Sequence, residues 1–214
     1  CLSRGLGDVY KRQIYHEAAQ TMVPASIDNP YLDADINISG MLRVLEAARK
    51  TDVQKIIFSS SAAVYGDNPA LPLTENLIPA PSSFYGLTKW MTEKYLALYH
   101  KIYELSYTVL RYSNVYGPRQ GADGEGGVIY IFAKSLAENK PITIFGDGQQ
   151  TRDFISVHDV VSANLAALHQ ANGEIINVST ETELSLNDLA SKMIAAAGCS
   201  EDLLRYGPPR TGDI

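Results

Sequence analysis

The chain has 214 residues, 45% of them hydrophobic and 20% charged, which fills one good core, or a core and a smaller companion domain, and excludes a disordered or fibrous protein. A formal net charge of -6, with Lys and Arg scattered singly, excludes a nucleic-acid surface but leaves room for a small anion held by a few arginines. Cys1 and Cys199 cannot make a disulfide framework, the four histidines have no ligand spacing, and no apolar run reaches the length of a membrane span, so the expectation is a soluble, cytoplasmic protein without a metal.

Residues 1–13 show neither strand nor helix periodicity and read as a stretch foreign to a domain that begins at Ile14. Ile14 to Ala18 is apolar enough for a buried strand, and Pro30 to Lys50 carries Ile36, Leu42, Val44, Leu45 and Ala48 at helical spacing. Lys55 to Ser59 is a β-branched run leading into three serines; a Pro-rich loop at Pro69 to Pro81 separates it from a helix over Ser83 to Glu104. Tyr107 to Tyr112 is the next strand. Helices follow at Val128 to Glu138, Val157 to Gln170 and Leu186 to Ala197, with short strands at Ile142 to Phe145, Asp153 to Ile155 and Glu174 to Val178. This alternation predicts a doubly wound α/β fold, a parallel sheet covered by helices on both faces. Ligands of such sheets bind at the carboxyl ends of the strands, which directs attention to Ala18–Gln20, Ser59–Ser61 and Ser113–Asn114. The glycine cluster Gly121 to Gly127 reads as a loop over the site.

Tyr85 and Lys89, four apart at a helix start, lie on one face one turn apart. A phenol titrates near pH 10 unaided, so its use as a base near neutrality requires a neighbouring positive charge, which Lys89 can supply. With 13 tyrosines and nine lysines, about half a Tyr-x-x-x-Lys match arises by chance. A second match, Tyr130 with Lys134, lies among Ile129, Ile131 and Phe132, where an aromatic is core; Tyr85 follows a polar loop and a strand ending in serines. Tyr95, Tyr99 and Tyr103 continue as a packing stripe.

Ser59-Ser-Ser-Ala-Ala-Val-Tyr-Gly66 followed by Tyr85-Gly-Leu-Thr-Lys89 resembles the UDP-glucose 4-epimerases and the extended short-chain dehydrogenase/reductases related to them, the NAD-dependent epimerase/dehydratase family. His16-Glu-Ala-Ala-Gln20, Asn37-Ile-Ser-Gly40, Leu110 to Arg119, Gly146-Asp-Gly148, Thr151 to Phe154, Val157 to Val160 and Arg210 to Asp213 occur in the family's order over Ile14 to Ile214. The resemblance implies a Rossmann domain over 14–117 and 153–180 and a smaller α/β sugar-nucleotide domain over 118–152 and 181–214. It implies that Tyr85 is the acid/base, that Lys89 holds the nicotinamide ribose and lowers the tyrosine pKa, and that Ser61 hydrogen-bonds the reacting hydroxyl. Ala18, Ala19, Gln20, Asn37, Ser59, Ser60, Tyr112 and Ser113 would line NAD; Asn114, Val128, Thr143, Phe145, Arg152, Arg210 and Asp213 would hold the nucleotide-sugar. Two arginines suit a diphosphate and Phe145 suits a base. Asp159 reads as a helix-start carboxylate.

The implied reaction is 4-epimerisation of a UDP-sugar through a 4-keto intermediate. The related dehydratases carry acidic side chains directly after the catalytic serine or threonine; Ala62 and Ala63 stand there, which favours epimerisation over dehydration or decarboxylation. The family's Gly-x-x-Gly-x-x-Gly turn and the acid after the second strand are not found, and Gly5 and Gly7 follow no strand, so the chain reads as N-terminally truncated and expected to hold NAD poorly. Two other classes are weighed. A non-catalytic dinucleotide binder has no need of Ser61, Tyr85 and Lys89 together, and a protein-interaction module rests only on the apolar helix Met91 to Tyr103, which homodimerisation of the parent also explains. UDP-glucose/galactose, N-acetyl hexosamines and uronic acids all stay open as the sugar.

Overall fold

The computed structural model describes residues 13–51, 53–121 and 127–209. In chain order the elements open with strand β1 (Gln13–His16), helices α1 (Val23–Asp28) and α2 (Pro30–Ala34), a π-helical turn over Asp35–Ser39, and α3 (Gly40–Arg49). Strand β2 (Lys55–Ser61), a 3-10 turn (Ala62–Tyr65), helix α4 (Phe84–Tyr103) and strands β3 (Ser106–Tyr112) and β4 (Asn114–Tyr116) come next. They are followed by α5 (Val128–Ala137), β5 (Ile142–Phe145), β6 (Thr151–Arg152), β7 (Phe154–Ser156), α6 (Val157–Ala167), β8 (Glu174–Val178), β9 (Leu184–Ser185), α7 (Leu186–Ala197) and β10 (Leu204–Gly207).

These elements form two compact units: the described residues through Arg111 with Ser162–Asn177, and Tyr112–Val161 with the described residues from Val178 onward. The first is built on a parallel sheet in the order β1-β2-β3-β8, with Ile14 opposite Ile56 and His16 opposite Phe58. Parallel neighbours such as β1 and β2 need a crossover connection, and only the β3–β8 step leaves chain order. Lys55 to Ser60 of β2 are all buried, as a strand covered on both faces must be. Met41, Leu45 and Ala48 of α3 pack with Ile56 and Phe58, Leu96 of α4, and Tyr107 and Val109 of β3. The second unit packs Phe132 and Leu136 of α5 and Ala190 and Ile194 of α7 onto Ile142 and Ile144 of β5.

Where the structure departs from the sequence reading, local chemistry explains it. Pro30 to Arg49 is helical throughout, as read, but its hydrogen bonding is not α throughout. Asn29 caps α2 by accepting the Leu32 amide at 3.0 Å, and a single π turn containing buried Asn37 then separates α2 from α3. Helix α1, with Pro24 in its first turn, has too few residues for a period to show. The same holds for β4, β6, β9 and β10, each two to four residues long. Asp159 does lie in the first turn of α6. Residues 1–12, 122–126 and 210–214, and with them Gly5, Gly7, most of the glycine cluster, Arg210 and Asp213, lie outside the described residues.

Candidate active site

The first unit gathers its chemistry at the end of β2. Strand alternation sends Ser59 and Ser61 to one face of the sheet and Ser60 to the other. Ser61 then caps the 3-10 turn, its Oγ accepting the Ala63 amide at 3.2 Å. Helix α4 starts directly against that turn: Ser83 Oγ accepts the Gly86 amide at 3.1 Å, and a Cβ on Gly86 would come within 2.4 Å of the Ala63 carbonyl oxygen. Only glycine lets the two backbones approach so closely, and the approach brings Tyr85 near enough to Ser61 for the serine hydroxyl to influence the phenol. Burial pushes the Tyr85 phenol above its ordinary value, the Ser61 bond draws it down, and the charge of Asp33 raises it again.

Lys89, one turn further on, is 4% exposed and donates from Nζ to the Ser59 carbonyl at 2.7 Å. Its ammonium lies 5.0 Å from the Phe58 ring centre and 5.7 Å from that of Tyr85. Burial lowers it to about 8, against the opposing charges of Glu17 and Asp33. Glu17 also accepts the Ser59 hydroxyl. His16 stacks on Phe58, and burial, followed by the Lys89 charge, lowers its pKa.

A buried polar lattice fixes the loop after β1. The Gln20 amide donates to Asn37 Oδ1 at 2.8 Å and Asn37 Nδ2 returns to the Gln20 carbonyl at 3.1 Å. Asp33 accepts from Gln20 Nε2 at 2.7 Å, Asn37 Nδ2 at 3.1 Å and Thr88 Oγ1 at 3.0 Å. A recess is lined by His16, Ala18, Ala19, Asn37, Phe58, Lys89 and Thr92. Ser60 does not send its side chain there: its hydroxyl donates to Glu93 at 2.6 Å, and Glu93 takes both arms of Arg111, at 2.9 and 2.6 Å. The Ser60 side chain is therefore better described as part of the ion-pair network than as a lining of the recess.

In the second unit Thr143 and Phe145 alternate with core residues Ile142 and Ile144 and share the outer face of β5, Phe145 against Gly207 of β10. Val128 begins α5 and packs on its core. Ser113 Oγ donates to Asp153 Oδ1 at 2.9 Å and the Asn114 amide to the Asp153 carbonyl at 2.9 Å. Arg152, paired in register with Leu184, donates to the Thr151 carbonyl at 2.7 Å, and Tyr112 ends β3. Tyr130 belongs to this unit, in the first turn of α5.

The sequence profile of the NAD dependent epimerase/dehydratase family matches residues 6–179. The chain belongs to this family. A UDP-glucose 4-epimerase of Mycolicibacterium smegmatis is 40% identical over 203 residues, 94% of the chain and 64% of the relative. The UDP-glucose 4-epimerase of Thermotoga maritima, solved with UDP-glucose, superposes with a TM-score of 0.92 at 42% identity, over 95% of the chain and 66% of that structure. That of Thermus thermophilus, solved with NAD, gives 0.88 at 36% identity over 95% of the chain and 67% of the structure. The chain thus spans about two thirds of the length of the relatives it matches.

As a member of the NAD dependent epimerase/dehydratase family, the chain has groups that suit a dinucleotide. Two alanines line the recess, and Lys89 has three N–H bonds but, among the described residues, one acceptor. Glu17, which accepts the Ser59 hydroxyl, and Asp33 and Thr88, bonded to each other, do not stand out in the sequence as site residues. Asp33 did leave a signal, a carboxylate one helical turn before Asn37, but at that level it reads as any polar helix position.

Proposed function

We propose that the protein carrying this chain is an NAD-dependent 4-epimerase acting on a UDP-sugar of the UDP-glucose/UDP-galactose type through a 4-keto sugar. The observation that carries this reading is the assembly of Ser61, Tyr85 and Lys89 at one strand end, with the Ser61 hydroxyl acting on the phenol and a buried ammonium 5.7 Å from its ring centre. Bound NAD supplies a reversible hydride acceptor for the sugar C4. Tyr85 takes the C4 hydroxyl proton and gives it back, and Ser61 holds the hydroxyl in line with the phenol. Lys89 holds the ribose, with Ala18, Ala19, Gln20 and Asn37 as the wall beside it. Asn114, Val128, Thr143, Phe145 and Arg152, with Arg210 and Asp213 beyond the described residues, match the family positions that hold a nucleotide handle.

Ala62 and Ala63, directly after Ser61, offer no carboxyl to protonate a leaving hydroxyl, which supports epimerisation rather than dehydration. A homodimer is part of the reading: Leu87, Met91, Leu98 and Ile102 are exposed along one face of α4, and Ile27, Tyr31 and Leu32 are exposed on α1 and α2, which pack against that helix. No helix among the described residues is long and apolar enough to cross a membrane. A nucleotide-sugar substrate fits a cytoplasmic setting. The test is Tyr85→Phe in the chain extended by the flanking segments of the Mycolicibacterium relative. NAD binding should survive and turnover should fall by about a hundredfold or more; equal turnover in both proteins would remove Tyr85 from the chemistry.

A further inference from the structure

Two of the most deeply buried carboxylates in the first unit are treated differently. Glu93 is met by the guanidinium of Arg111 at 2.6 Å. Asp33 is 1% exposed, and no cation bonds to it among the described residues. A buried carboxylate costs far more than an apolar residue of its size unless donors satisfy it, so its presence calls for a reason beyond packing.

Its three donors come from three different segments: Gln20 from the loop after β1, Asn37 from the π turn, and Thr88 from α4. Gln20 and Asn37 are in turn tied to each other through their own amide and carbonyl groups. Thr88 stands next to Lys89, and its hydroxyl also lies 3.0 Å from the Tyr85 carbonyl. Asp33 is therefore the common acceptor of the recess wall and of the first turns of the helix that presents Tyr85 and Lys89.

We propose that Asp33 is a positioning residue for the active site: its buried carboxylate pins the loop Ala18–Gln20 to the helix bearing Tyr85 and Lys89, and stands behind Lys89 as a fixed counter-charge. The proposal rests on the reading of Tyr85 as base and Lys89 as the group that holds the cofactor. Electrostatics supports it, since the Asp33 charge raises the pKa of both Lys89 and Tyr85. The other groups facing this pair are His16 and Glu17 at the end of β1, Ser59 and Phe58 of β2, and Ser61. Taking away one nearby anion weakens proton binding at both sites, so both titrations move to lower pH together. Loosened packing alone has no reason to move them in concert.

The test is Asp33→Asn, isosteric and uncharged, in the full chain, with Lys89 and Tyr85 titrated by NMR and their signals assigned through Lys89→Met and Tyr85→Phe. Both midpoints should fall by about half a unit or more. The Gln20 amide, held by Asn37, should exchange roughly tenfold faster. Unmoved midpoints in a folded variant would overturn the proposal. Should Asp33→Asn not fold, Thr88→Val removes one donor and keeps the charge; it too should speed Gln20 exchange, and an unchanged rate would overturn the pinning. In the extended, active protein the bell-shaped rate profile should shift to lower pH, whereas a bell that shrinks in place would count against the counter-charge. The NMR measurements need no substrate, so failure of the epimerase reading would show separately, as absence of turnover in the unsubstituted protein.

Discussion

Replacing Lys89 by methionine keeps the volume of a side chain that is 4% exposed and deletes its charge. Burial lowers this ammonium from 10.5 to about 8. A displacement of that size corresponds to about 3 kcal/mol of destabilisation while the group is charged. The variant leaves the Ser59 carbonyl without the Lys89 donor, which costs about 1 kcal/mol, so near pH 7 Lys89→Met should be more stable by about 2 kcal/mol. The sign follows from proton linkage: the folded protein binds this proton less tightly than the unfolded chain, so wild-type stability rises as pH climbs from about 8 towards 10.5. The advantage of the variant should therefore shrink over that window and vanish above it. Urea unfolding of both proteins at about pH 7 and about pH 10 reads the difference directly. A difference that stays constant with pH would refute the reasoning, because packing changes have no reason to titrate. The variant would also show that a functional charge is kept at the expense of stability.

The other expectations are simpler. Arg111→Met leaves Glu93 buried and unpaired and should cost about 3–5 kcal/mol in chemical denaturation, while replacing both partners by apolar residues together should cost much less. Gly86→Ala forces α4 off the turn that follows Ser61; in the extended protein it should depress kcat more than Gly198→Ala, a remote change that strains a left-handed backbone but whose Cβ meets open space, so both should lower the melting midpoint and only the first should act strongly on turnover. Ser61→Ala removes the bond that draws the Tyr85 phenol down, so the acid limb of the rate profile should move to higher pH, and an unmoved limb would argue that Ser61 acts on substrate alone.

How far the sequence is legible depends on the length of the signal. Ile56, Ile57 and Phe58 announce a buried parallel strand because both faces are covered and no polar alternation interrupts the run. Ile142 to Phe145 and Leu186 to Ala197 are read to the residue, since a serine cap and a Gly198 stop with φ 64° frame the latter. Thr151–Arg152 and Leu184–Ser185 become strands by pairing with each other, which a one-dimensional pattern cannot contain. The same limit applies to the site. The Tyr85–Lys89 spacing and the serine-ended strand are local, whereas Asp33 matters because Gln20, Asn37 and Thr88 converge on it from 13 to 55 residues away in sequence or one turn along the helix. Ser60 shows the converse: adjacent to Ser59 and Ser61, it is turned by strand alternation to the face where Glu93 waits.

The measurement that bears most directly on the account is product analysis of the extended protein given UDP-galactose and catalytic NAD. The account predicts UDP-glucose, formed by the protein with Tyr85 and not by Tyr85→Phe. A 4-keto-6-deoxy or decarboxylated nucleotide-sugar as the product, or the same UDP-glucose yield from the phenylalanine variant, would contradict it.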